Sequence, residues 1–284
     1  MNLFIIFVAS FALVGVSWAR KPVVFMHGLF PSITTGSDFK TLINGIHPGT
    51  NVTLITAYNE KIASLTPMWK QTRAAGEIIR RASAEHPNGF HLLCYSQGGL
   101  VCRAALQTIP DHNVDTFISL TSPQAGQYGD PDFLKHYIPP MVREELYAFF
   151  YTKTGQLISI GNYWNDPHHQ KLYEKESVFL AVINNPKFRE EYRKNFLRVK
   201  KLVLIGSPDD GVIIPWQSSQ FGFYDSKDHV LPMQQQSWFS NDTFGLQTLA
   251  KQKRLHVFTV PGVQHTQWHK NRTVFEKFVA PWLT

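Results

Sequence analysis

The sequence predicts an α/β fold, with a mostly parallel central sheet and helices on both of its faces. Three observations carry that expectation. Short apolar runs recur at 21–26, 90–95, 116–120, 201–206 and 255–260, and a parallel strand covered on both faces reads as near-continuous hydrophobicity. Between some of these runs the apolar spacing changes to three and four residues, the period of a helix with one buried stripe. The runs also end in short turns, and three of those turns carry Ser96, Asp210 and His265, in that order along the chain.

Taken in order, Lys21–Met26 reads as a buried strand that ends at His27-Gly28-Leu29-Phe30-Pro31. Gly28 permits a tight turn, and Leu29 is the candidate donor of a backbone N–H to an oxyanion. His27 is read as a core histidine that holds the loop by hydrogen bonds. Asn51–Thr56 is the second strand. Leu65, Met68, Trp69, Thr72, Ala75, Gly76, Ile79 and Ala82 then mark a helix that Thr66-Pro67 begins and His86-Pro87 ends.

Phe90–Tyr95 runs straight into Ser96, after which Leu100, Val101, Ala104, Ala105 and Ile109 resume at helical spacing. A serine at the corner between a buried strand and a helix is the nucleophile elbow of α/β-hydrolases. The residue two after it must be small so that strand and helix can approach, and Gly98 stands there. Two residues before it the sequence has Cys94, giving C-x-S-x-G. Cys94 and Cys102 are the chain's two cysteines and flank the elbow. The chain reverses between them, which leaves either a disulfide or two buried thiols.

Thr116–Leu120 is the next strand. From about 124 to 197 the alternation lapses into an aromatic-rich, helical segment, read as a cap inserted into a hydrolase domain spanning 20–284 and partly facing a substrate groove. His168 and His169 in it have no flanking Cys or Glu cluster, so no metal is expected. The sheet returns at Lys201–Gly206 and Leu255–Val260. Asp210, before Gly211-Val212, is the candidate acid, with Asp209 capping the loop and Asp225 and Asp228 on the surface. His265 is the candidate base, because His256 lies inside a strand and His269 at the onset of a final helix. A neutral imidazole takes the serine proton, and a carboxylate fixes its tautomer.

The apolar run through Val16, ending Ser17-Trp18-Ala19, reads as a signal peptide (1–19) cleaved before Arg20. Three sequons, at Asn51, Asn241 and Asn271, suit that secretory route. Asn51 and Asn271 fall where loops or surface helices are expected. The formal net charge of +7 is read as general solvation, since no basic block interleaved with aromatics marks a nucleic-acid groove.

Several blocks together resemble the palmitoyl-protein thioesterases, a family of lysosomal enzymes: Val24–Gly28, Cys94–Arg103, Asn162-Tyr163-Trp164 with Asp166–His169, Pro208–Ile213 and Phe221–Tyr224. The resemblance covers essentially the whole chain after residue 19. It implies Ser96 as nucleophile, Asp210 as acid and His265 as base, with oxyanion N–H groups from Leu29 and Gln97. It also implies hydrolysis of long-chain acyl thioesters, on cysteine or coenzyme A, in the lysosome and without a cofactor. Elbows of the family's thioesterase 1 branch begin with Gly where Cys94 stands, and their acid lies where this chain has Ile214. Both departures point to the second branch. A secreted carboxylesterase or lipase of the same fold is the alternative. A non-catalytic lipid carrier fits less well with Ser96, Asp210 and His265 all present.

Overall fold

The computed structural model describes residues 20–32, 34–129, 145–185 and 190–284. The segment 1–19, where the signal peptide is expected, lies outside them, as do parts of the expected cap. The strands are β1 (Val23–Met26), β2 (Val52–Ile55), β3 (Phe90–Tyr95), β4 (Val114–Leu120), β5 (Lys201–Gly206), β6 (Phe223–Tyr224), β7 (Val230–Leu231) and β8 (Leu255–Thr259). Six of them form one sheet in the order β2-β1-β3-β4-β5-β8, while β6 and β7 pair as a separate hairpin. All five pairings in the main sheet are parallel.

The register explains where the turns gather. Met26 lies opposite Cys94, Tyr95 opposite Leu120, Leu120 opposite Ile205, and Ile205 opposite Phe258. The carboxyl ends of β1, β3, β4, β5 and β8 therefore reach the same edge, and the turns after them emerge side by side. Strand order reverses at β1, which has β2 on one side and β3 on the other. Ligands of open parallel sheets bind at such a switch point.

The helices are α1 (Thr35–Ile46), α2 (Met68–Glu85), α3 (Gln97–Thr108), α4 (Leu146–Phe150), α5 (Ser159–Tyr163), α6 (Gln170–Glu176), α7 (Leu180–Asn184), α8 (Glu190–Phe196), α9 (Ser237–Ser240), α10 (Leu246–Lys251) and α11 (Arg272–Phe278). Successive strand residues point to opposite faces, and this divides the core in two. Val24, Met26, Leu92, Leu202 and Leu204 pack with Ile79 of α2, Leu106 of α3 and Phe196 of α8. Phe25, Leu93, Ile118, Val203 and Ile205 pack with Phe39 and Ile43 of α1 and Phe275 of α11. Each such side chain contributes roughly 1.5–3 kcal/mol when fully buried.

Two details differ from the sequence reading. Helix α1 was not expected there, because Gly36, Ser37, Asn44 and Gly45 weaken its helical signal. Burial of Phe39 and Ile43, one turn apart, holds it to the sheet. Strand β8 is also not covered on both faces. It is the sheet's edge, and Val257 is 41% exposed.

Between β4 and β5 no described residue joins the main sheet. The short helices α4 to α7 pack through Phe150, Trp164, Tyr173 and Phe179, all buried. The side-chain oxygen of Asn162 accepts the N–H of Met68 (2.8 Å), tying α5 to the start of α2. Helix α8 lies against α3, so the chain has returned to the helical layer before β5 begins.

Candidate active site

Ser96 follows β3 directly and adopts φ 54°, ψ −133°, a strained conformation for a residue with a Cβ. The tightness of the turn is visible in its glycines. A Cβ on Gly98 would strike the carbonyl oxygens of Met26 (2.9 Å away) and His27, and one on Gly28 would lie 2.7 Å from the Ser96 Cβ. A disulfide between Cys94 and Cys102 ties the end of β3 to the second turn of α3. Of the two states open for these cysteines, the structure has the bonded one.

His265 opens a single 3-10 turn, His265–Gln267, in the loop after β8. Its Nε2 is 2.9 Å from the Ser96 hydroxyl, and its Nδ1 is 3.0 and 2.9 Å from the two oxygens of Asp210. With Nδ1–H donated to the carboxylate, Nε2 is left as the acceptor facing Ser96. Asp210 comes from the loop after β5. Its Oδ1 accepts the N–H groups of Val212 (3.0 Å) and Ile213 (2.7 Å), and its Oδ2 accepts the hydroxyl of Thr121. Burial alone would raise this carboxyl, but His265, the Ile213 N–H and the Thr121 hydroxyl outweigh it and hold Asp210 below the ordinary carboxylate value.

The two loops are also joined by backbone. The His265 N–H donates to the Asp210 carbonyl (2.9 Å), and the Asp209 carboxylate accepts the Gly262 N–H (2.7 Å). Asp209 therefore caps the loops, as its place beside Asp210 suggested. His269 lies elsewhere, against Phe39, with its Nε2 3.9 Å from Asp38. His27 is buried, with its ring nitrogens on the carbonyl oxygens of Gly28 (2.8 Å) and Ala57 (3.0 Å). It anchors the loop that carries Leu29. Neither the Leu29 N–H nor the Gln97 N–H has a backbone acceptor among the described residues. The Gln97 side chain is turned away to donate to the Ser64 carbonyl (2.9 Å).

A cleft of about 220 Å³ opens beside these groups. Leu29, Phe30, Pro123, Ile160, Tyr163, Val212 and Ile213 give it apolar walls, and Ser96, Gln97 and His265 lie within it. Ile160 and Tyr163 come from α5, so part of the aromatic-rich segment does face the cleft.

Three contributors were not legible in advance. Tyr95 donates its hydroxyl to the His265 carbonyl (2.5 Å), and its ring packs 5.2 Å from the imidazole. Gln127 bonds both the Val212 carbonyl and the Ile214 N–H (both 3.1 Å), stapling the acid loop. Thr121 meets Asp210. In sequence these are an unremarked core tyrosine and two turn residues, and only the adjacency of Tyr95 to Ser96 hinted at a role.

His168 and His169 diverge, to Asp228 (3.2 Å) and Asp166 (3.1 Å), and Tyr147 stacks on His169. No cluster among the described residues has the ligands for a metal ion. Asn51 and Asn241 are exposed, while Asn271 is half-buried and caps α11 by accepting the Val274 N–H (3.1 Å). No described helix is long and apolar enough to cross a membrane.

A parallel sheet with a strained serine elbow, and Asp and His loops after later strands, defines an α/β-hydrolase. The fold agrees with solved structures: the monoacylglycerol lipase of Paleococcus ferrophilus superposes with a TM-score of 0.50 at 16% identity, covering 93% of this chain and 95% of that one. Within that class the chain belongs to the palmitoyl protein thioesterase family, whose model matches residues 22–265. It is 50% identical to the human lysosomal thioesterase PPT2 over 267 residues, 93% of this chain and 88% of the relative. It is 41% identical to the lysosomal thioesterase PPT2 homolog of Drosophila melanogaster, covering 95% and 94%.

Proposed function

We propose that this protein hydrolyses long-chain acyl thioesters, with Ser96 as nucleophile, His265 as base and Asp210 as the group that orients it. The observation that carries the reading is the unbroken hydrogen-bonded line from Ser96 through His265 to Asp210, at 2.9 Å and 2.9 Å, opening on an apolar cleft. The family supplies the bond: its relatives are named thioesterases.

The Ser96 oxygen attacks the thioester carbonyl as its proton passes to His265 Nε2. Negative charge develops on the carbonyl oxygen and is met by the N–H groups of Leu29 and Gln97. Collapse breaks the carbon–sulfur bond, and the leaving thiolate takes the proton back from the imidazolium. A water activated by the same imidazole then cleaves the acyl–serine ester. A thiol of pKa about 8.5 leaves with little acid assistance. The acyl chain lies along Phe30, Ile160, Tyr163, Val212 and Ile213.

The site of action is the lysosome, reached by the secretory route after removal of residues 1–19, with glycans on the sequons of Asn51, Asn241 and Asn271. Residues about 124–197 form the cap over a domain running from 20 to 284. No cofactor takes part in these steps.

The test is kcat/KM for a palmitoyl thioester beside the oxygen ester of the same acyl chain, from pH 4 to 8. Preference for the thioester is expected. Equal or better hydrolysis of the oxygen ester throughout would replace this reading with a carboxylesterase or lipase.

A further inference from the structure

Asp210 receives its hydrogen bonds unevenly. The loop's own N–H groups, from Val212 and Ile213, both sit on Oδ1. The other oxygen, Oδ2, is met by the imidazole and, among the described residues, by one further donor, the hydroxyl of Thr121. Thr121 belongs to a different part of the chain, the turn after β4, and is buried. Its backbone is unusual too: φ is 44°, a left-handed conformation that β-branched residues rarely adopt. The turn is held there because the Thr121 N–H donates to the Ile205 carbonyl (2.7 Å) at the end of β5. Glycine would meet the backbone requirement without strain but would bring no donor to Oδ2.

We propose that Thr121 is a positioning residue for the reaction, and that its hydroxyl keeps the Asp210 carboxylate ionised and aimed at His265 in acid. This rests on the reading of Asp210 as the orienting acid. The direction follows from the donor inventory. A hydroxyl has one proton and gives it to Oδ2 only while that oxygen is unprotonated. Protonating Oδ2 would exchange that charge-assisted bond for a weaker neutral one, so Thr121 opposes uptake of that proton. It also fixes the rotation of the carboxylate, which lies nearly symmetrically on Nδ1, at 3.0 and 2.9 Å. Among the described residues no other charged group takes over the role, since the remaining partners of the Asp210 carboxylate are backbone N–H groups and His265 itself.

The measurement is kcat and KM on a soluble palmitoyl thioester from pH 3 to 8 for the unaltered protein, Thr121→Val and Thr121→Ser. Valine keeps the β-branch and removes the donor, and serine keeps the donor. The acid limb of the Thr121→Val profile should move up by about one pH unit, because a hydrogen bond to a charged group is worth about that shift. Its kcat should fall at acidic pH by roughly 10-fold more than at pH 8, with KM unchanged, and Thr121→Ser should restore the original profile. A Thr121→Val profile merely scaled down at every pH, or a Thr121→Ser variant as impaired as Thr121→Val, overturns the proposal. If Thr121→Val does not fold, Thr121→Ala takes its place, and the same displacement of the acid limb is required of it.

Asp210→Asn separates the two readings. If that variant keeps most of its activity, the role given to Asp210 fails whatever Thr121 does. If it is nearly inactive, adding Thr121→Val to it should cost no more than about twofold. A full, additive loss in the double variant would make Thr121 a structural residue only and overturn the proposal.

Discussion

Removing the Ser96 hydroxyl takes away the proposed attacking atom and little else, because the strained backbone that presents it is set by Gly28 and Gly98 rather than by the side chain. Ser96→Ala is expected to lower kcat by about a thousand-fold or more with an unchanged melting temperature. Retention of most activity would remove Ser96 from the reaction. The histidines divide as sharply. His265→Ala should cost about a thousand-fold or more in acylation rate, whereas His269→Ala loses a packing contact with Phe39 and should stay within about tenfold. Measuring acylation of both with one thioester checks this, and a reversed order would reassign the base.

The element that decides the site is the strand–turn–helix of β3, Ser96 and α3. Gly98→Ala places a methyl group against the carbonyl oxygens of Met26 and His27, which belong to backbone and cannot turn away. Such overpacking costs roughly 1–3 kcal/mol, and here the displacement would fall on the Leu29 loop. The expected result is a melting temperature several degrees lower together with a large loss of kcat; a variant with normal activity would show that the approach of α3 to β1 is not what shapes the Leu29 loop. The disulfide across the same element closes a short loop, with a separation of 8 residues, and contributes about 2–3 kcal/mol in the chain-entropy account. Denatured protein alkylated without reductant should gain no label by intact mass, and two labels after reduction. Two labels before reduction would show free thiols.

At the scale of the whole molecule, buried histidines set the pH dependence of stability. Burial lowers His91 to about 4, with nearby Lys21 and Lys201 adding to the effect and Asp115 opposing it. Burial likewise lowers His112 to about 4, against the bond of its ring to the Asn195 carbonyl. The unfolded chain takes up these protons near pH 6.5 and the folded chain only near 4, so stability falls as pH drops through that window. The loss is on the order of 2–3 kcal/mol for each histidine. Asp210 and Asp242 act in the same direction, but their folded values lie below the ordinary carboxylate range, so their contribution is lost only under stronger acid. Melting temperature should therefore decline from pH 7 to pH 4.5, and more shallowly in His112→Gln. A flat profile, or an identical slope in the variant, would contradict this account.

The central sheet was legible because burial on both faces leaves continuous apolar runs, and the strand ends agreed to within a residue or two. Edge strand β8 and helix α1 were read less well, since one is half-solvated and the other is held by two anchors rather than by propensity. Ser96, Asp210 and His265 could be picked out as candidates because each stands in a turn after a parallel strand, and chain order is preserved in sequence. Distances are not. The sequence alone determined the architecture, the family and the candidate residues. Only the tertiary structure decided that Thr121 and Tyr95 reach the Asp210 carboxylate and the His265 backbone, that Gln127 staples the acid loop, and that Cys94 meets Cys102. Each of those contacts joins segments that the register of a parallel sheet brings together, and no local periodicity records which side chains will face one another across it.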